Sequence, residues 1–158
     1  LHVVGVLGFY DERWWWDHLT HTVSAALVAA LAYAGLLVVP PATRLDVPAA
    51  PAAVALTLLA GVFWELVEVH ARAAGDRLGL ESMLARYGPS DTPLDLLFDL
   101  VGAVLVAALD IRVFVARAAR SATATRTVLW WGVARLVVGT VVLAVAWRAG
   151  RFIPADRG

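Results

Sequence analysis

The residues best suited to chemistry are two acids inside an apolar stretch. Glu65 and Glu68 lie within a hydrophobic run that begins near Ala52 and is long enough to cross a bilayer. A carboxylate in such a segment is costly and usually faces the interior of a helical bundle, where a second polar group stabilises it. We therefore expect other parts of the chain to supply partners for these two acids.

Candidate partners lie at the start of two neighbouring apolar segments. Within each segment the ionisable residues are three or four positions apart, so each set shares one helix face. At a rise of about 1.5 Å per residue, His21, Glu65 and Asp99 lie roughly 7–9 Å inside their helix ends. The two sets are Asp17, His18 and His21 before the first acid pair, and Asp91, Asp95 and Asp99 after it.

Several carboxylates brought together at low dielectric cannot all stay ionised, so protons or a metal ion must lie among them. Histidine and carboxylate ligands at helical spacing recur in the metal sites of helix bundles. Mixed oxygen and imidazole ligation suits a divalent Zn, Mn or Fe ion, which could activate a water molecule for a nearby general base. The predicted metal ligands are His21, Glu65, Asp99, Asp17 and His18, and the predicted general bases are Glu68 and Asp95.

Simpler explanations remain open for several of these residues. Thr92, Pro93 and Asp95 form a capping-box pattern, so Asp91 and Asp95 are also typical helix caps. Glu68 could pair with Arg72 one turn later, in a surface salt bridge of little energetic weight. Asp17 and His18 could simply be solvated. The deeper set of His21, Glu65 and Asp99 could be a structural hydrogen-bonded cluster.

Three further ionisable residues fall outside this group. His70 points away from the face of Glu65 and Glu68, and we expect it at the membrane interface. Asp110 should pair with a loop arginine such as Arg112 or Arg117. Arg135 lies near mid-membrane, where a lone guanidinium is expensive, so the sequence favours a partner for it within the bundle.

The composition of the chain indicates the class of protein to which these residues belong. The chain has 158 residues, of which 61% are hydrophobic, and its mean hydropathy of +0.75 exceeds that of ordinary soluble domains. Its formal net charge is zero, which gives no reason to expect nucleic acid as a partner. The absence of cysteine excludes disulfides and thiolate metal sites. These properties indicate a small integral membrane protein.

The apolar segments predict an all-α transmembrane bundle of about four spans, forming a single domain over residues 1–158. The predicted spans are residues 16–39, 52–71, 93–115 and 127–147. Pro40 ends the first span, Pro48 and Pro51 suit the start of the second, and Gly75 is a plausible stop for it. We expect residues 1–10 to be the end of an earlier helix, so that further spans precede them.

The threading of these spans explains why the ionisable residues should meet. Short antiparallel connections place the first span beside the second and the second beside the third. The start of the first, the end of the second and the start of the third then lie at one membrane face. Three consecutive indoles, Trp14, Trp15 and Trp16, fit the aromatic belt of that interface.

At these positions the sequence resembles the YjdF-like family of predicted membrane proteins. Three blocks carry the resemblance: Tyr10-Asp11 with Asp-His-Leu-Thr-His at 17–21, Phe-Trp-Glu-Leu-Val-Glu at 63–68, and Asp-Thr-Pro-Leu-Asp-Leu-Leu-Phe-Asp at 91–99 before Gly102-Ala103. The match covers roughly residues 10–108. It implies a shared polar set of Asp17 or Asp11 with His21, Glu65, Glu68, Asp91, Asp95 and Asp99.

A more remote similarity is to VanZ-like membrane proteins, which set an Asp…His helix, a Glu-bearing helix and an Asp-rich helix in the same order. Neither resemblance implies a reaction, so function must be argued from the site.

Three functions are compatible with the sequence. The first is a membrane-embedded metal-binding protein that hydrolyses a lipid-linked or headgroup substrate. The second is a component of proton- or cation-coupled transport, and the third is a structural or assembly subunit. We expect the cytoplasmic membrane as the location. The expected partners are the lipid bilayer and either another membrane protein or a second copy of the chain.

Overall fold

The computed structural model describes residues 14–39, 48–78 and 91–149, and all regular structure within these ranges is helical. This confirms the predicted all-α fold. Residues 1–10, expected to end an earlier helix, lie outside the described residues. The helices are α1 (Trp14–Val38), α2 (Ala49–Leu78), α3 (Asp91–Ala108), α4 (Val115–Arg120) and α5 (Ala122–Arg148).

Among the described helices, three are long and apolar enough to cross a membrane, namely α1, α2 and α5. The predicted third span, over residues 93–115, is instead the 18-residue helix α3, whose sequence includes three aspartates. It ends at Ala108 because the chain leaves the helical conformation at Asp110, where φ is 48°. Asp tolerates this left-handed conformation better than most residues do.

The boundaries of α1 and α2 follow the proline signals closely. α1 ends before Pro40, and the first turn of α2 is closed by a hydrogen bond from Ala52 N to Pro48 O of 3.2 Å. Gly75 does not stop α2, which continues to Leu78, so that prediction was wrong. A helical glycine costs only about 1 kcal/mol relative to alanine, which is too little to end a long helix.

The centre of the bundle is the contact of α3 with both α1 and α2. α1 and α3 run parallel, and small residues let their backbones approach closely. A Cβ on Gly102 would collide with the backbone carbonyl of Thr22 and lie 3.0 Å from Ala26 N. Contacts through small residues are typical of helices packed within membranes. The core between these helices is formed by Ala29, Ala30, Ala103 and Val106.

At the end of the bundle where α3 stops, a polar contact joins α3 to α1. The Tyr33 hydroxyl donates a hydrogen bond to Asp110 Oδ1, and Arg112 Nε lies 2.9 Å from Asp110 Oδ2. Arg112 and then Tyr33 hold the pKa of Asp110 below its usual range because they stabilise the ionised carboxylate. The predicted pairing of Asp110 with a loop arginine is confirmed.

α5 lies against the bundle through a narrow contact. The Phe63 ring of α2 occupies the space beside Gly139, where an added Cβ would come within 2.7 Å of Cε2. Most other side chains of α5 are exposed and apolar, as suits a helix that faces acyl chains.

Arg135 is exposed on this outer surface, with Cζ 5.7 Å from the centre of the Trp131 ring. The expectation of a partner inside the bundle was therefore wrong: Arg135 lies over an indole one turn earlier on its own helix.

Candidate functional site

The candidate site is centred on the imidazole of His21, which lies between two carboxylates of α3. His21 Nδ1 is 3.1 Å from Asp99 Oδ1, and His21 Nε2 is 3.8 Å from Asp95 Oδ1. The two aspartates are four positions apart and therefore share one face of α3. All three side chains are buried, with relative exposures of 8% for His21, 3% for Asp95 and 6% for Asp99.

His18 approaches the same carboxylate from one turn earlier on α1. Its Nδ1 is 3.6 Å from Asp95 Oδ1. Its ring stacks on Phe98, with 4.4 Å between ring centres and 11° between the planes. This stacking fixes the plane of the imidazole. Two histidines of α1 therefore converge on a single oxygen of α3.

Asp17 completes a group with the donor set of a metal centre. One oxygen of Asp17, one nitrogen of His21 and one oxygen of Asp95 all lie within 4.8 Å of one another. Ligands about 2.0–2.2 Å from a zinc ion are separated by at most roughly 4.4 Å, so rotamer adjustments would bring these atoms to bonding distance. Asp17 is half-buried and the other two residues are buried, so a bound ion would be reached from the side of Asp17.

Glu65 enters the site from α2, and its two carboxylate oxygens differ in their contacts. Its Oε2 accepts a 2.6 Å hydrogen bond from the Thr92 hydroxyl. Its Oε1 is buried and has no hydrogen-bond partner among the described residues. Buried polar atoms without a partner are rare and call for a specific explanation. The charge of Glu65 also interacts with His21 and Asp95.

The predicted capping box at the start of α3 takes a different form. α3 already begins at Asp91, and the Thr92 hydroxyl reaches across to Glu65 of α2. Asp95 is enclosed beside His18 and His21 instead of lying at an open helix end. The capping-box pattern was misleading because the neighbouring helix α2 provides the Thr92 hydroxyl with a carboxylate acceptor. A hydrogen bond to a charged acceptor is stronger than one to a neutral backbone group.

Glu68 is committed to contacts within α2. Its Oε1 accepts a 2.8 Å hydrogen bond from Trp64 Nε1, and its Oε2 lies 3.3 Å from Arg72 Nη1. The predicted pairing of Glu68 with Arg72 is confirmed. Both carboxylate oxygens are therefore engaged outside the group around His21.

The position of His70 at the membrane interface stays a prediction, and within the bundle its side chain is buried. It is 8% exposed, its Nδ1 is 2.6 Å from Leu66 O, and its ring centre lies 6.4 Å from that of Trp147. The helical pattern gave the direction of His70 relative to Glu65, but α5 covers that side of α2.

A cavity of about 340 Å³ borders the His21–Asp99 pair and extends between α1 and α2 toward the middle of the bundle. Gly61 makes this arrangement possible, because a Cβ at that position would collide with Asp99 Oδ2. Sequence reasoning missed both Gly61 and Thr92. The position of Gly61 one turn before Glu65 was an available signal, whereas nothing local indicated that Thr92 would bond to another helix. Residues around the cavity include Thr20, His21, Ser24, Gly61, Trp64 and Asp99.

The geometry thus joins residues from three helices, as the threading argument predicted. Six of the seven predicted site residues converge on one end of the bundle, and Glu68 lies one turn from Glu65 in a separate pair with Arg72. The six are Asp17, His18, His21, Glu65, Asp95 and Asp99.

A family model described as "Predicted membrane protein (DUF2238)" matches residues 1–116 of the chain. The match includes all the predicted site residues and leaves most of the last two described helices, α4 and α5, outside it. The YjdF-like resemblance fits this family, whereas the VanZ-like similarity finds no support. No match to a curated protein or to a solved structure was found.

Proposed function

Since the chain belongs to the DUF2238 family of predicted membrane proteins, whose description names no reaction, we propose a function from the site itself. Asp17, His21 and Asp95 bind a divalent metal ion at one face of the membrane. The observation that carries the proposal is the approach of their three ligand atoms to within 4.8 Å of one another on two mostly apolar helices.

The surroundings of His21 support this assignment. A histidine that ligates a metal usually donates its second ring N–H to a carboxylate, which fixes the tautomer and the ring orientation. Asp99 is placed for that role, because its Oδ1 lies 3.1 Å from Nδ1. Nε2 is then the nitrogen that carries the lone pair, and it faces Asp95. In this assignment Asp99 orients a ligand and does not itself bind the ion.

The charge balance around His21 also supports a bound cation. Asp17, Asp95 and Asp99 approach one imidazole, and Glu65 lies beside them with a buried oxygen that has no hydrogen-bond partner among the described residues. Carboxylates at such distances need protons or a cation in a medium of low dielectric. Two oxygen ligands and one imidazole suit Zn, Mn or Fe.

The chemistry that fits this arrangement is hydrolysis of a lipid-linked or headgroup ester. A bound divalent ion would supply Lewis acidity and lower the pKa of a water molecule. We assign Glu65 as the general base, because its buried Oε1 has no hydrogen-bond partner among the described residues while the Thr92 hydroxyl holds Oε2. Glu65 would take a proton from water as the water oxygen bonds to the ester phosphorus or carbon. It would return that proton to the leaving oxygen as the bond from phosphorus or carbon to the leaving oxygen breaks.

A structural role is the main alternative, and specific contacts favour it. The Thr92–Glu65 bond joins α3 to α2, and the His21–Asp99 bond joins α1 to α3, so the cluster could serve only to hold three helices together. A proton relay across the membrane has less support. Between His21 and the Asp110 end, the described core of Ala29, Ala103 and Val106 contains no titratable group.

Metal analysis of the protein purified in mild detergent tests the proposal. We expect close to one equivalent of Zn, Mn or Fe per chain, and a strong loss of metal in Asp95→Asn. Glu68→Gln is the matched control, since it removes an acid of the same face whose oxygens are engaged by Trp64 and Arg72. Circular dichroism and gel filtration of each variant confirm that the fold is retained.

Less than about a tenth of an equivalent in the wild-type protein, even after incubation with each metal, would contradict the proposal. A site with the affinity usual for structural metal ions would be almost fully occupied under these conditions. In that case the structural role predicts a different result. Glu65→Gln and Asp99→Asn would then lower the melting temperature and leave any cellular function intact.

A further inference from the structure

A second and larger cavity lies at the other end of the bundle. Its volume is about 560 Å³, and residues of α1, α2, α4 and α5 line it. Val28 and Ala60 line its deep end and also line the cavity beside His21. Its outer end is formed by Arg117 and Ser121, at or beside the short helix α4. This cavity therefore runs from the middle of the bundle to the membrane face opposite the candidate metal centre.

The walls of the cavity are apolar and open sideways. Leu31 of α1 is 51% exposed and Val128 of α5 is 71% exposed, although both line the cavity. In a bilayer these exposed surfaces meet acyl chains, so a lipid tail can enter between α1 and α5. The cavity is also preformed, because Thr125 Oγ1 donates a 3.0 Å hydrogen bond to Ala118 O and thereby ties α5 to α4.

The outer end of the cavity carries an arginine that forms no ion pair with any residue in the described part of the chain. Arg117 lines the cavity, and Arg120 lies one turn later on α4 and is exposed. Neither forms an ion pair with a described residue. Asp110, the acid closest in sequence, is paired with Arg112 instead. A basic pocket between transmembrane helices is the typical recognition site of an anionic lipid headgroup.

We propose that this cavity binds one membrane lipid with an anionic phosphate headgroup. The phosphate lies against Arg117, which can donate two parallel hydrogen bonds to it, and one acyl chain extends along α5 toward Ala60. The site lies at the opposite membrane face from the metal centre and does not depend on it.

The dimensions of the cavity favour a lipid over a packed helix. An α-helix with its side chains is about 10–12 Å wide, so 560 Å³ holds little more than about one helical turn. A helix from a second copy would therefore leave most of its length outside the cavity and would place an apolar surface against Arg117. A single chain with a charged head matches both the apolar walls and the basic mouth.

The test is a titration of the full chain, purified in detergent, with phosphatidylglycerol and with phosphatidylcholine of the same acyl chains. Native mass spectrometry and the melting temperature are the readouts. We expect one phosphatidylglycerol to bind saturably and to raise the melting temperature, with phosphatidylcholine binding more weakly. Arg117→Gln should weaken phosphatidylglycerol binding by about fivefold, the factor that corresponds to one interfacial cation.

Gly132→Leu tests the cavity itself. Gly132 lines the cavity, and a Cβ added there meets no atom within 4 Å, so the leucine side chain can fill the cavity without disturbing the fold. We expect this variant to retain its fold and to lose the bound lipid. Arg126→Gln is the matched control for charge, since Arg126 does not line the cavity and its replacement should leave affinity nearly unchanged.

Several outcomes would overturn the proposal. Equal stabilisation by the two lipids would show that charge plays no part, and an equal shift from soluble glycerol phosphate would show that the acyl chain plays none. Unchanged binding in Gly132→Leu would place the lipid elsewhere. A change of oligomeric state in that variant, with lipid binding intact, would make the cavity an interface between copies of the chain.

Discussion

His21 Nδ1 and Asp99 Oδ1 lie 3.1 Å apart although 78 residues separate them in the chain. The same offset of 77–78 residues recurs where the Tyr33 hydroxyl meets Asp110, at the far end of the same two helices. α1 and α3 are therefore parallel neighbours in a fixed register, with one polar contact at each end and small apolar residues between. The register of this helix pair places Asp95 and Asp99 on either side of one imidazole.

The first prediction concerns the partner of the imidazole. Asp99→Asn should weaken metal binding by about 10–100-fold, because the carboxylate that fixes the tautomer of a ligating histidine usually contributes that much. Competition with a fluorescent chelator measures the affinity in detergent. Glu68→Gln should bind metal like the wild-type protein, and equal affinities for Asp99→Asn and wild type would remove the orienting role from Asp99.

The second prediction concerns the space reserved for that carboxylate. In Gly61→Ala the new methyl group collides with Asp99 Oδ2 and lies 3.1 Å from Leu96 Cδ2. We expect a loss of about 1–3 kcal/mol in the free energy of unfolding, as is usual for an overpacked contact, together with weaker metal binding. Unfolding in a mixed detergent series measures the first quantity and chelator competition the second.

Gly132→Ala is the control for this substitution, because its Cβ meets no atom within 4 Å. Alanine is the better helix former by about 1 kcal/mol, so this variant should be as stable as the wild-type protein or more so. If Gly61→Ala behaved in the same way, the close contact between Gly61 and Asp99 would not exist in solution.

The third prediction concerns the backbone contact between α1 and α3. Gly102→Ala directs its methyl group at the carbonyl oxygen of Thr22 and at Ala26 N. A side chain such as Asp99 can rotate away, but a helix backbone cannot, so Gly102→Ala should be more destabilising than Gly61→Ala. Melting temperatures of the two variants in one detergent provide the comparison. The reverse order would mean that the two helices are further apart than described.

The fourth prediction concerns pH and the opposite end of the bundle. Arg112 and Tyr33 lower the pKa of Asp110 in the folded protein from its ordinary value of 3.8. The stabilisation is therefore fully present above that ordinary value and is lost as pH falls through the lowered pKa. Asp110→Asn should melt below the wild-type protein by a constant difference between about pH 5 and 8, and the difference should shrink in more acidic solution.

Two variants make this measurement specific. Tyr33→Phe removes one of the two donors to Asp110 and should give an intermediate melting temperature at neutral pH. Asp76→Asn changes an exposed acid near the end of α2 and should melt like the wild-type protein at every pH. A difference for Asp110→Asn that grew as the pH fell would contradict the contact with Arg112.

Much of the candidate site followed from the sequence because helical periodicity and depth are local properties. The spacing of His21, Asp95 and Asp99, with apolar residues around them, was sufficient to predict one polar face per helix and a common membrane end. Arg72 as the partner of Glu68 and Arg112 as a partner of Asp110 were also predictable, because these pairs lie within four residues along the chain.

Which polar groups contact each other depends on how the helices pack. Periodicity gives the direction of a side chain but not the distance between two helices, and that distance depends on glycines such as Gly61 and Gly102, whose effect appears only when a second helix is opposite them. For the same reason the sequence could not distinguish Asp99 as the residue that contacts His21 Nδ1, nor Thr92 as the donor to Glu65. Hydrophobicity and helical spacing were sufficient to predict an apolar helical bundle with acids and histidines at one end. The close packing of α3 between α1 and α2 sets which of these groups form hydrogen-bonded or ion pairs.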